Sequence, residues 1–381
     1  MSTINQDWGN QGNKKVELIE DLWGRGLSSE LLELLLSKLK FVVDIQKFHA
    51  VCKMWRSITV SPPRQPPSPL PYADSSFPLL FQFNRRDDSK YRILHPLYKY
   101  TWDLEFPPQL TERDFPPEFI GDSKRIQFSK YGWSLIMALW DPFPDLFLFN
   151  PLTREIKKFP TPPFFHGDTR CMFFTCPPSQ PDCLVFAISD CSIYVHKLGE
   201  ADWKKHDLNG KMDPSFKPIC PPILYHGLCY CLDSNGNMGV FDMQDIEHSW
   251  TVHHRVLLPD ILRARLIALV EHNGQLLVVL IKEERRHKLI YIPYIHKLDL
   301  KTKSCEPMQS LGNNALFISY GASFSQRAIV SGTGNKLFVP LFKNNTDSYM
   351  FYSLATSKYH SFFNNLSSDL SSDIRSSWLP M

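Results

Sequence analysis

The sequence predicts a small all-α N-terminal unit followed by an all-β propeller of about six blades. Three observations predict this fold class. A leucine-rich segment near the N-terminus has helical spacing, a run of prolines follows it, and short apolar runs separated by Gly, Pro, Asn and Asp turns fill the rest. The 381 residues are enough for one large domain and a small one. We therefore assign the helical unit to residues 20–60, a linker to 61–74, the propeller to 75–362 and a Ser-rich tail to 363–381.

The first helix carries more apolar surface than one packing partner requires. An ordinary surface helix has an apolar face of about 100°, whereas the leucines here spread over roughly 200° at 100° per residue. These leucines are Leu31, Leu32, Leu34, Leu35, Leu36 and Leu39. Ser28 is placed to cap the helix, and Glu30 lies in the first turn, where the helix dipole favours negative charge. A helix that is apolar on two sides must be buried on two sides, and a partner protein is the expected second side.

A second helical stretch is predicted to begin at Asp44. Its apolar residues form a stripe of about 120°. This stripe consists of Ile45, Phe48, Val51, Cys52 and Trp55. Lys53 and Arg56 fall in the last turns, which suits the C-terminal end of the helix dipole.

The order of residues in these two helices resembles the F-box. The matching positions are Leu27, Glu30-Leu31-Leu32, Leu39, Asp44, Phe48, Val51-Cys52-Lys53 and Trp55-Arg56. F-box proteins are substrate receptors of cullin-type ubiquitin ligases, and the F-box docks on the adaptor Skp1. Ser28 stands where the family usually has proline, and a serine can also cap the helix. The alternative is an ordinary N-terminal helical hairpin that packs on its own domain.

The F-box resemblance also implies which side chains contact the adaptor. They are Leu27, Leu31, Leu32, Leu35, Leu39, Val51, Cys52 and Trp55. Through a Skp1-type adaptor the chain would reach a cullin.

The linker contains six prolines in the ten residues 62–71, PPRQPPSPLP. Such a segment forms neither a helix nor a central strand. It favours polyproline II at about 3.1 Å per residue, which makes a semi-rigid spacer up to roughly 30 Å long. The alternative is a ligand for an SH3-type domain, with Arg64 as its basic anchor. Either reading places a domain boundary here.

The remainder of the chain repeats one pattern, a Gly/Asn turn that opens into a strand and is followed by a second strand. The pattern begins at 131–136, 226–232, 273–279 and 334–339. A less obvious unit is predicted at 183–208, closed by Trp203, and a first unit around 79–104. Units of four short strands at this spacing predict a propeller, whose closed ring leaves few exposed strand edges.

A second resemblance lies in these repeats. Gly132-Trp133, the run 149–153 and Phe159-Pro160 look like the blade motif of plant F-box proteins with a kelch-related propeller. This class includes the brassinosteroid-signalling F-box proteins that target shaggy-like kinases. Leu298-Asp299-Leu300 and the run 311–317 are similar to another signature of that group. The usual tryptophan after the first of these and the usual Asp-Arg within the second are replaced here by 305–307 (Cys-Glu-Pro) and Asn313-Asn314, so the chain is identified as a divergent member.

Composition narrows the range of partners and the compartment. The net charge of +3 does not indicate a basic surface for binding nucleic acid or an anionic membrane. The best apolar run, 266–281, is interrupted by Glu271-His272-Asn273-Gly274 and falls short of the ~20 residues that a membrane helix needs. The first 13 residues are polar and do not resemble a signal peptide. We expect an intracellular protein, nuclear and/or cytoplasmic. The mixed-charge run 282–288 is read as a solvated hairpin loop, with nuclear targeting as the alternative.

No constellation for catalysis or metal binding is found in the sequence. The nucleophile elbow, the phosphate-binding loop and the His-Glu-x-x-His motif do not occur. His253 and His254 would point to opposite faces of a strand. Carboxylates near turns are expected to serve turn chemistry; these are Asp141, Asp145, Asp233, Asp242 and Asp245. Most of the nine cysteines are expected to be buried, reduced thiols, with Cys229 and Cys231 on the same side of a strand. No cofactor, no metal and no catalytic residue is predicted.

The two resemblances imply a substrate-recognition subunit of an SCF-type ubiquitin ligase. The F-box would dock on Skp1, and one propeller face, displaying aromatic side chains on its loops, would bind an unidentified protein substrate. Two alternatives remain open: a propeller interaction scaffold without ligase function, and a propeller hydrolase with its site in the central channel. The tail is predicted as a mobile terminus or as a short closing helix that carries Leu366, Leu370, Ile374 and Trp378.

Overall fold

The computed structural model divides into two compact units, Met1–Arg64 and Gln65–Met381. It describes residues 27–38, 48–58, 77–84, 87, 89–96, 100–110, 124–138, 145–160, 163, 169–189, 191–254, 264–285, 289–302, 304–330, 332–343, 350–361, 370–372 and 376–380. The predicted proline spacer at 62–71 lies outside the described residues, as do Leu39, Asp44 and Ile45.

The described part of the N-terminal unit contains two helices, α1 (Ser29–Lys38) and α2 (Lys53–Ser57), and residues 48–50 are also helical. A small core holds them together. It consists of the buried side chains Leu32, Leu36, Phe48 and Ile58, with Leu27, Met54 and Trp55 partly buried against them.

The predicted continuous helix from Asp44 through Trp55 is wrong at Cys52. This residue is extended, with φ −160° and ψ 177°, and it precedes the first residue of α2. The amide of Val51 donates to the carbonyl of Phe48, which closes the preceding helical turn, and the Cys52 carbonyl accepts from Arg56 to open the next. The break brings the rings of Phe48 and Trp55 into contact, with 4.6 Å between centroids. This packing in the small core favours two short helices over one continuous helix.

The second unit is a six-bladed β-propeller, as the repeat pattern predicts. The first blade contains β1 (Leu79–Phe83), β2 (Lys90–His95), β3 (Tyr100–Glu105) and the chain's last strand, β27 (Ser376–Leu379). The second contains β4 (Lys124–Lys130), β5 (Trp133–Ala138), β6 (Asp145–Phe149) and β7 (Ile156–Lys158), and the third β8 (Thr169–Phe174), β9 (Leu184–Ser189), β10 (Ser192–Lys197) and β11 (Lys204–Asp207). The predicted unit at 183–208 is the third blade without its first strand.

The remaining blades follow in chain order. The fourth contains β12 (Ile223–Tyr225), β13 (Leu228–Leu232), β14 (Met238–Asp242) and β15 (Thr251–His253), with the short helix α3 (Ile246–Ser249) before the last strand. The fifth contains β16 (Ala264–His272), β17 (Gln275–Arg285), β18 (Leu289–Asp299) and β19 (Ser304–Pro307). The sixth has five strands: β20 (Asn314–Ile318), β21 (Ser323–Arg327), β22 (Lys336–Val339), β24 (Met350–Ser353) and β25 (Lys358–Ser361).

Two details of the last blade depart from the simple repeat. Strand β20 pairs in parallel with β22 and antiparallel with β21, so it is inserted between the two. A separate two-stranded sheet is formed by β23 (Leu341–Lys343), which follows β22 in the chain, and β26 (Leu370–Ser372), which follows β25.

The closing helix predicted in the C-terminal tail is wrong where the tail is described. Leu370 and Trp378 lie in strands, whereas Leu366 and Ile374 lie outside the described residues. Strand β27 pairs antiparallel with β1, with Leu80 opposite Trp378. Trp378 is 1% exposed. Alternating side chains of Ser376–Leu379 fit a strand that is covered on both faces, and the hydrogen bonds to β1 satisfy its backbone.

The mixed-charge run 282–288 is less of a loop than predicted. Its first four residues, 282–285, belong to β17, with Arg285 opposite Leu289, and 286–288 lie outside the described residues. At 282–285 the pairing of backbone groups along two long strands outweighs the preference of charged residues for a loop.

The Gly/Asn turns between the first and second strands of the blades have the predicted sharp geometry. Tyr131-Gly132, His226-Gly227 and Asn273-Gly274 each place two consecutive residues at positive φ. Two such residues make a two-residue hairpin turn whose twist matches that of the strands it connects. Glycine adopts this geometry without strain, and asparagine tolerates it better than other residues.

Candidate functional site

The first candidate site is a row of exposed leucines on α1. Leu31, Leu34 and Leu35 are 48%, 54% and 44% exposed. Their spacing of i, i+3 and i+4 places them on one face of the helix. Leu32 and Leu36 point to the opposite side and are buried in the core of the N-terminal unit. The helix is therefore apolar on a face that its own unit does not cover within the described residues.

The eight side chains that the F-box resemblance implies as adaptor contacts differ in exposure. Leu31, Leu35 and Val51 are exposed. Leu27, Cys52 and Trp55 are half-buried, and Leu32 is fully buried, so Leu32 serves the core of the unit. Leu39 lies outside the described residues. Leu34, the most exposed leucine of the helix, belongs to this surface although the resemblance did not single it out; its spacing from Leu31 was the available signal.

The start of α1 has the cap that the sequence predicts. The Leu31 amide donates to the Ser28 hydroxyl at 3.4 Å, and the Leu32 amide donates to the Ser28 carbonyl at 3.0 Å. Hydrogen bonds from its own backbone amide and from the Ser28 hydroxyl lower the pKa of Glu30. The helix therefore begins at a defined residue, which sets the orientation of the leucine row (Leu31, Leu34 and Leu35).

The second candidate site is a cavity of about 240 Å³ at the centre of the propeller. An edge strand of each of the second, third, fifth and sixth blades, β12 of the fourth and Pro380 beyond β27 contribute to its wall, so all six blades meet there. Phe128, Phe174, Leu224, Leu269 and Phe324 are among the apolar side chains that line it. This convergence is what a six-bladed ring produces around its axis.

The hydroxyl groups in the cavity wall already have hydrogen-bond partners within the chain. Ser129 Oγ lies 2.8 Å from Ser134 Oγ, and Ser323 Oγ donates to the Ser319 carbonyl at 3.3 Å. Thr175 Oγ1 accepts from the Leu184 amide at 3.1 Å. These hydroxyl groups are therefore already hydrogen-bonded within the chain.

Two charged residues belong to the wall, Lys130 and Glu271. Glu271 Oε1 accepts a hydrogen bond from the Gly274 amide at 2.8 Å. Lys130 Nζ lies over the ring of Tyr131, 4.9 Å from its centroid. Within the described residues no carboxylate forms an ion pair with Lys130, and the contact found there for its ammonium group is with the Tyr131 ring.

The wall also contains one contact with catalytic potential. Ser325 Oγ lies 2.7 Å from His272 Nδ1. Burial lowers the pKa of His272, so its ring is neutral near pH 7 and can accept the serine proton. The other ring nitrogen lies 3.4 Å from the Asn273 amide nitrogen rather than beside a carboxylate. A serine–histidine pair is present in the channel, without the acidic residue that completes a triad in the described part of the chain.

Other residues with potential for chemistry serve structural roles. Asp233 Oδ1 accepts from the amides of Asn235 and Asn237, and Asp242 Oδ1 accepts from Gln244, which confirms turn chemistry at these carboxylates. Cys229 and Cys231 lie in the same buried cluster, as their alternation on β13 predicts. The nine cysteines are free, and six of them are buried: Cys171, Cys183, Cys191, Cys220, Cys229 and Cys231.

The described residues contain neither a group of metal ligands nor a membrane-spanning helix. Where the chain is described, no three His, Cys, Asp or Glu side chains are grouped so that they could hold a metal ion. Over the same ranges, no helix has both the length and the apolar character to span a membrane.

Comparison with known proteins links the propeller to a plant family. The model of the KIB1-4 beta-propeller family matches residues 104–353. An F-box/kelch-repeat protein of Arabidopsis thaliana is 26% identical over 347 residues, covering 87% of this chain and 83% of the relative. An F-box protein of the same plant is 25% identical over 338 residues, covering 86% of this chain and 81% of that protein.

Among solved structures, TolB from Acinetobacter baumannii is similar with a TM-score of 0.45 and 10% identity. The match covers 80% of this chain and 67% of TolB. A similarity of this degree carries no functional information.

Proposed function

Because this chain belongs to the KIB1-4 beta-propeller family, and its relatives are named F-box proteins, we propose that it is the substrate-recognition subunit of a Skp1–cullin–F-box ubiquitin ligase. The helical unit docks on a Skp1-type adaptor and through it on a cullin. The propeller binds the protein that is to be ubiquitinated. The complex works inside the cell, in the nucleus and/or the cytoplasm.

The observation that carries the proposal is the leucine row on α1. Complete burial of one leucine side chain is worth about 1.5–3 kcal/mol, so three half-exposed leucines offer roughly 3 kcal/mol to a partner that covers them. Monomeric proteins seldom leave such a row uncovered on one helix. Val51, 46% exposed, adds a fourth apolar side chain in the same unit. A Skp1-type adaptor is the partner that the F-box pattern of these residues specifies.

In this role the chain performs no bond chemistry of its own. It raises the effective concentration of a target's lysines near the conjugating enzyme that carries ubiquitin. The rate of transfer then depends on how the two units hold their partners, rather than on any catalytic side chain of this protein.

A pull-down with a recombinant Skp1-type adaptor tests the proposal on the full-length chain. We expect wild type to bind and Leu35→Asp to lose at least about tenfold in affinity, because the aspartate places a charge in an apolar contact. Ile329→Asp is the matched control, since Ile329 is exposed to a similar degree (46%) but lies in the propeller unit. Failure of wild type to bind, or equal binding by Leu35→Asp, would contradict the ligase function.

The scaffold alternative makes a different prediction. If the helical unit packs on its own propeller instead of an adaptor, removal of residues 1–60 should lower the melting temperature of the propeller. An F-box that is energetically independent leaves that temperature unchanged. Calorimetry on the two chains separates the alternatives.

A channel hydrolase is the second candidate function, favoured by the contact between Ser325 and His272. A fluorophosphonate probe, which labels activated serines, tests it directly. Labelling of wild type that disappears in Ser325→Ala would support the hydrolase. Absence of labelling in both proteins would contradict it and leave the adaptor function.

The identity of the target is a finer proposal. Because the chain departs from the kinase-targeting F-box proteins at 305–307 and Asn313-Asn314, the resemblance does not transfer a specific target, and a shaggy-like kinase is one candidate to test. Co-precipitation of the kinase with the chain, in cells treated with a proteasome inhibitor, is the measurement.

A further inference from the structure

We propose that the central cavity of the propeller binds one large apolar side chain of the target protein, from an exposed segment in which a carboxylate near that side chain pairs with Lys130. The description of the bound protein as a ubiquitination target rests on the proposed ligase function. The binding of such a segment to the cavity does not. The cavity, its wall and its rim each contribute to this assignment.

The size of the cavity selects a single side chain. A protein cavity of about 150 Å³ holds a benzene molecule, whereas sites for drug-sized ligands and cofactors occupy about 300–1,000 Å³. At about 240 Å³ this cavity admits one aromatic or large aliphatic group and excludes a nucleotide-sized cofactor. A side chain of a protein segment is the group of this size that arrives with its own backbone to hold it in place.

The polarity of the wall selects an apolar group. Phe128, Phe174 and Phe324 contribute aromatic surface, and the wall hydroxyls described above are satisfied within the chain. A polar occupant would lose its bonds to water without replacement, which is costly in a site of this kind. Phenylalanine, tryptophan, leucine, isoleucine and methionine meet the requirement.

The charge of the wall selects an acidic neighbour. The two charges differ in what they contact. The Glu271 carboxylate accepts from the Gly274 amide, while the Lys130 ammonium group lies over the Tyr131 ring and forms no ion pair with a carboxylate in the part of the chain that the structure describes. A carboxylate on the incoming segment would form a charge-assisted hydrogen bond with Lys130. The segment is consequently acidic on the side that faces the second blade.

The turns next to the cavity supply an independent observation. Tyr131 and His226 adopt positive φ at turn positions where the fifth blade has Asn273, although bulky residues are disfavoured there. Tyr131 adjoins Lys130, and His226 lies two residues after Leu224, which lines the cavity and is 41% exposed. The Tyr131 hydroxyl donates to the carbonyl of Thr175, a wall residue, at 3.4 Å, so the Tyr131 ring lies beside the cavity.

Selection of random peptides tests the proposal. Phage that display peptides of about 12 residues are selected on the purified full-length chain, and the enriched clones are then measured against Lys130→Glu, Leu224→Asp and the control Ile329→Asp. We expect clones in which a Phe, Trp, Leu, Ile or Met lies within about three positions of an Asp or Glu. Their affinity should fall at least about tenfold in Lys130→Glu and in Leu224→Asp and stay unchanged in Ile329→Asp.

Charge reversal makes the test specific. Replacement of the acidic residue by lysine in the best peptide should weaken its binding to wild type and restore its binding to Lys130→Glu. Lys130 and Leu224 are at least partly exposed, so we expect both variants to fold. Thermal melting of each variant checks this.

Two results would overturn the proposal: clones that bind all variants equally, and the absence of any clone that depends on Lys130. The second result is what a small-molecule site, or a cavity covered by another segment of this chain, would produce. The same variants should still bind the Skp1-type adaptor, so loss of adaptor binding by Leu35→Asp and loss of peptide binding by Lys130→Glu report on the two proposals separately.

Discussion

The ring of Trp378 lies edge-on against the ring of Phe317, with 5.2 Å between centroids and 78° between planes. Trp378 belongs to β27, which completes the first blade, and Phe317 belongs to β20 of the sixth blade. The Trp378 amide also donates to Ser319 Oγ at 3.3 Å. This pair of residues therefore joins the first and last blades, where the ring of blades closes.

Replacement of Trp378 should destabilise the propeller strongly. We expect Trp378→Ala to lower the free energy of unfolding by about 3–5 kcal/mol, because it leaves a large void between two blades. Trp378→Phe is the control: it keeps an aromatic ring against Phe317, so its loss should be about half as large or less. Urea unfolding followed by circular dichroism measures both. Similar values for the two variants would show that ring contact is not what holds the blades together.

The repeat of the propeller was accessible from sequence because its turns and strands are local features. Gly132, Gly227 and Gly274 mark hairpins that need positive φ, and the following strands are largely apolar. These signals depend on neighbouring residues, and the strands formed where they were expected.

The closure of the ring was not accessible in the same way. Strand β27 is short and serine-rich, and it becomes a strand only because β1, nearly three hundred residues earlier, provides its hydrogen bonds. Long-range pairing of this kind leaves no local signal. The cavity depends likewise on five separate strands and on Pro380, so none of its wall residues was predicted. The leucine row, by contrast, follows from the spacing of leucines within one helix.

Gly239 should not tolerate a methyl group. A Cβ atom at this position would lie 2.6 Å from Trp250 Cη2 and 2.8 Å from Phe216 Cζ, and both rings are buried. We expect Gly239→Ala to cost about 1–3 kcal/mol of unfolding free energy, because the two rings must shift within a packed core.

A double-mutant cycle provides the control for this contact. Trp250→Phe removes the Cη2 atom, so Gly239→Ala should cost less in that background than in wild type. The cost of Gly239→Ala is measured by chemical denaturation in both backgrounds. An equal cost in the two would place the strain elsewhere.

The two faces of α1 should respond differently to shortening of a leucine. Leu32→Ala removes a fully buried side chain of the small core and should destabilise the N-terminal unit by about 2–5 kcal/mol. Leu34→Ala removes an exposed side chain and should change stability by less than about 0.5 kcal/mol. Limited proteolysis within residues 27–58 measures the difference, and equal protection in both variants would contradict the assignment of the two faces.

The stability of the propeller should fall in mild acid, and His95 is the main reason. Burial lowers the pKa of His95 to about 4, whereas in the unfolded chain it is near 6.5. The unfolded chain therefore binds the additional proton between these values, so the contribution of neutral His95 is complete above about pH 6.5 and is lost as the pH falls to about 4. The loss amounts to about 3 kcal/mol. Burial also lowers the pKa values of His196, His272, His296 and His360, which act in the same direction.

Substitution by a residue that does not titrate isolates the contribution of His95. In His95→Gln the unfolding free energy, measured by urea denaturation between about pH 7 and pH 4.5, should fall less steeply than in wild type, because one of the proton-binding groups of the unfolded chain is gone. The slope should not vanish, since the four other histidines still titrate in the unfolded chain. Parallel curves for the two proteins would mean that His95 takes up its proton as readily in the folded propeller as in the unfolded chain, and that its place against the ring of Phe77 is open to water.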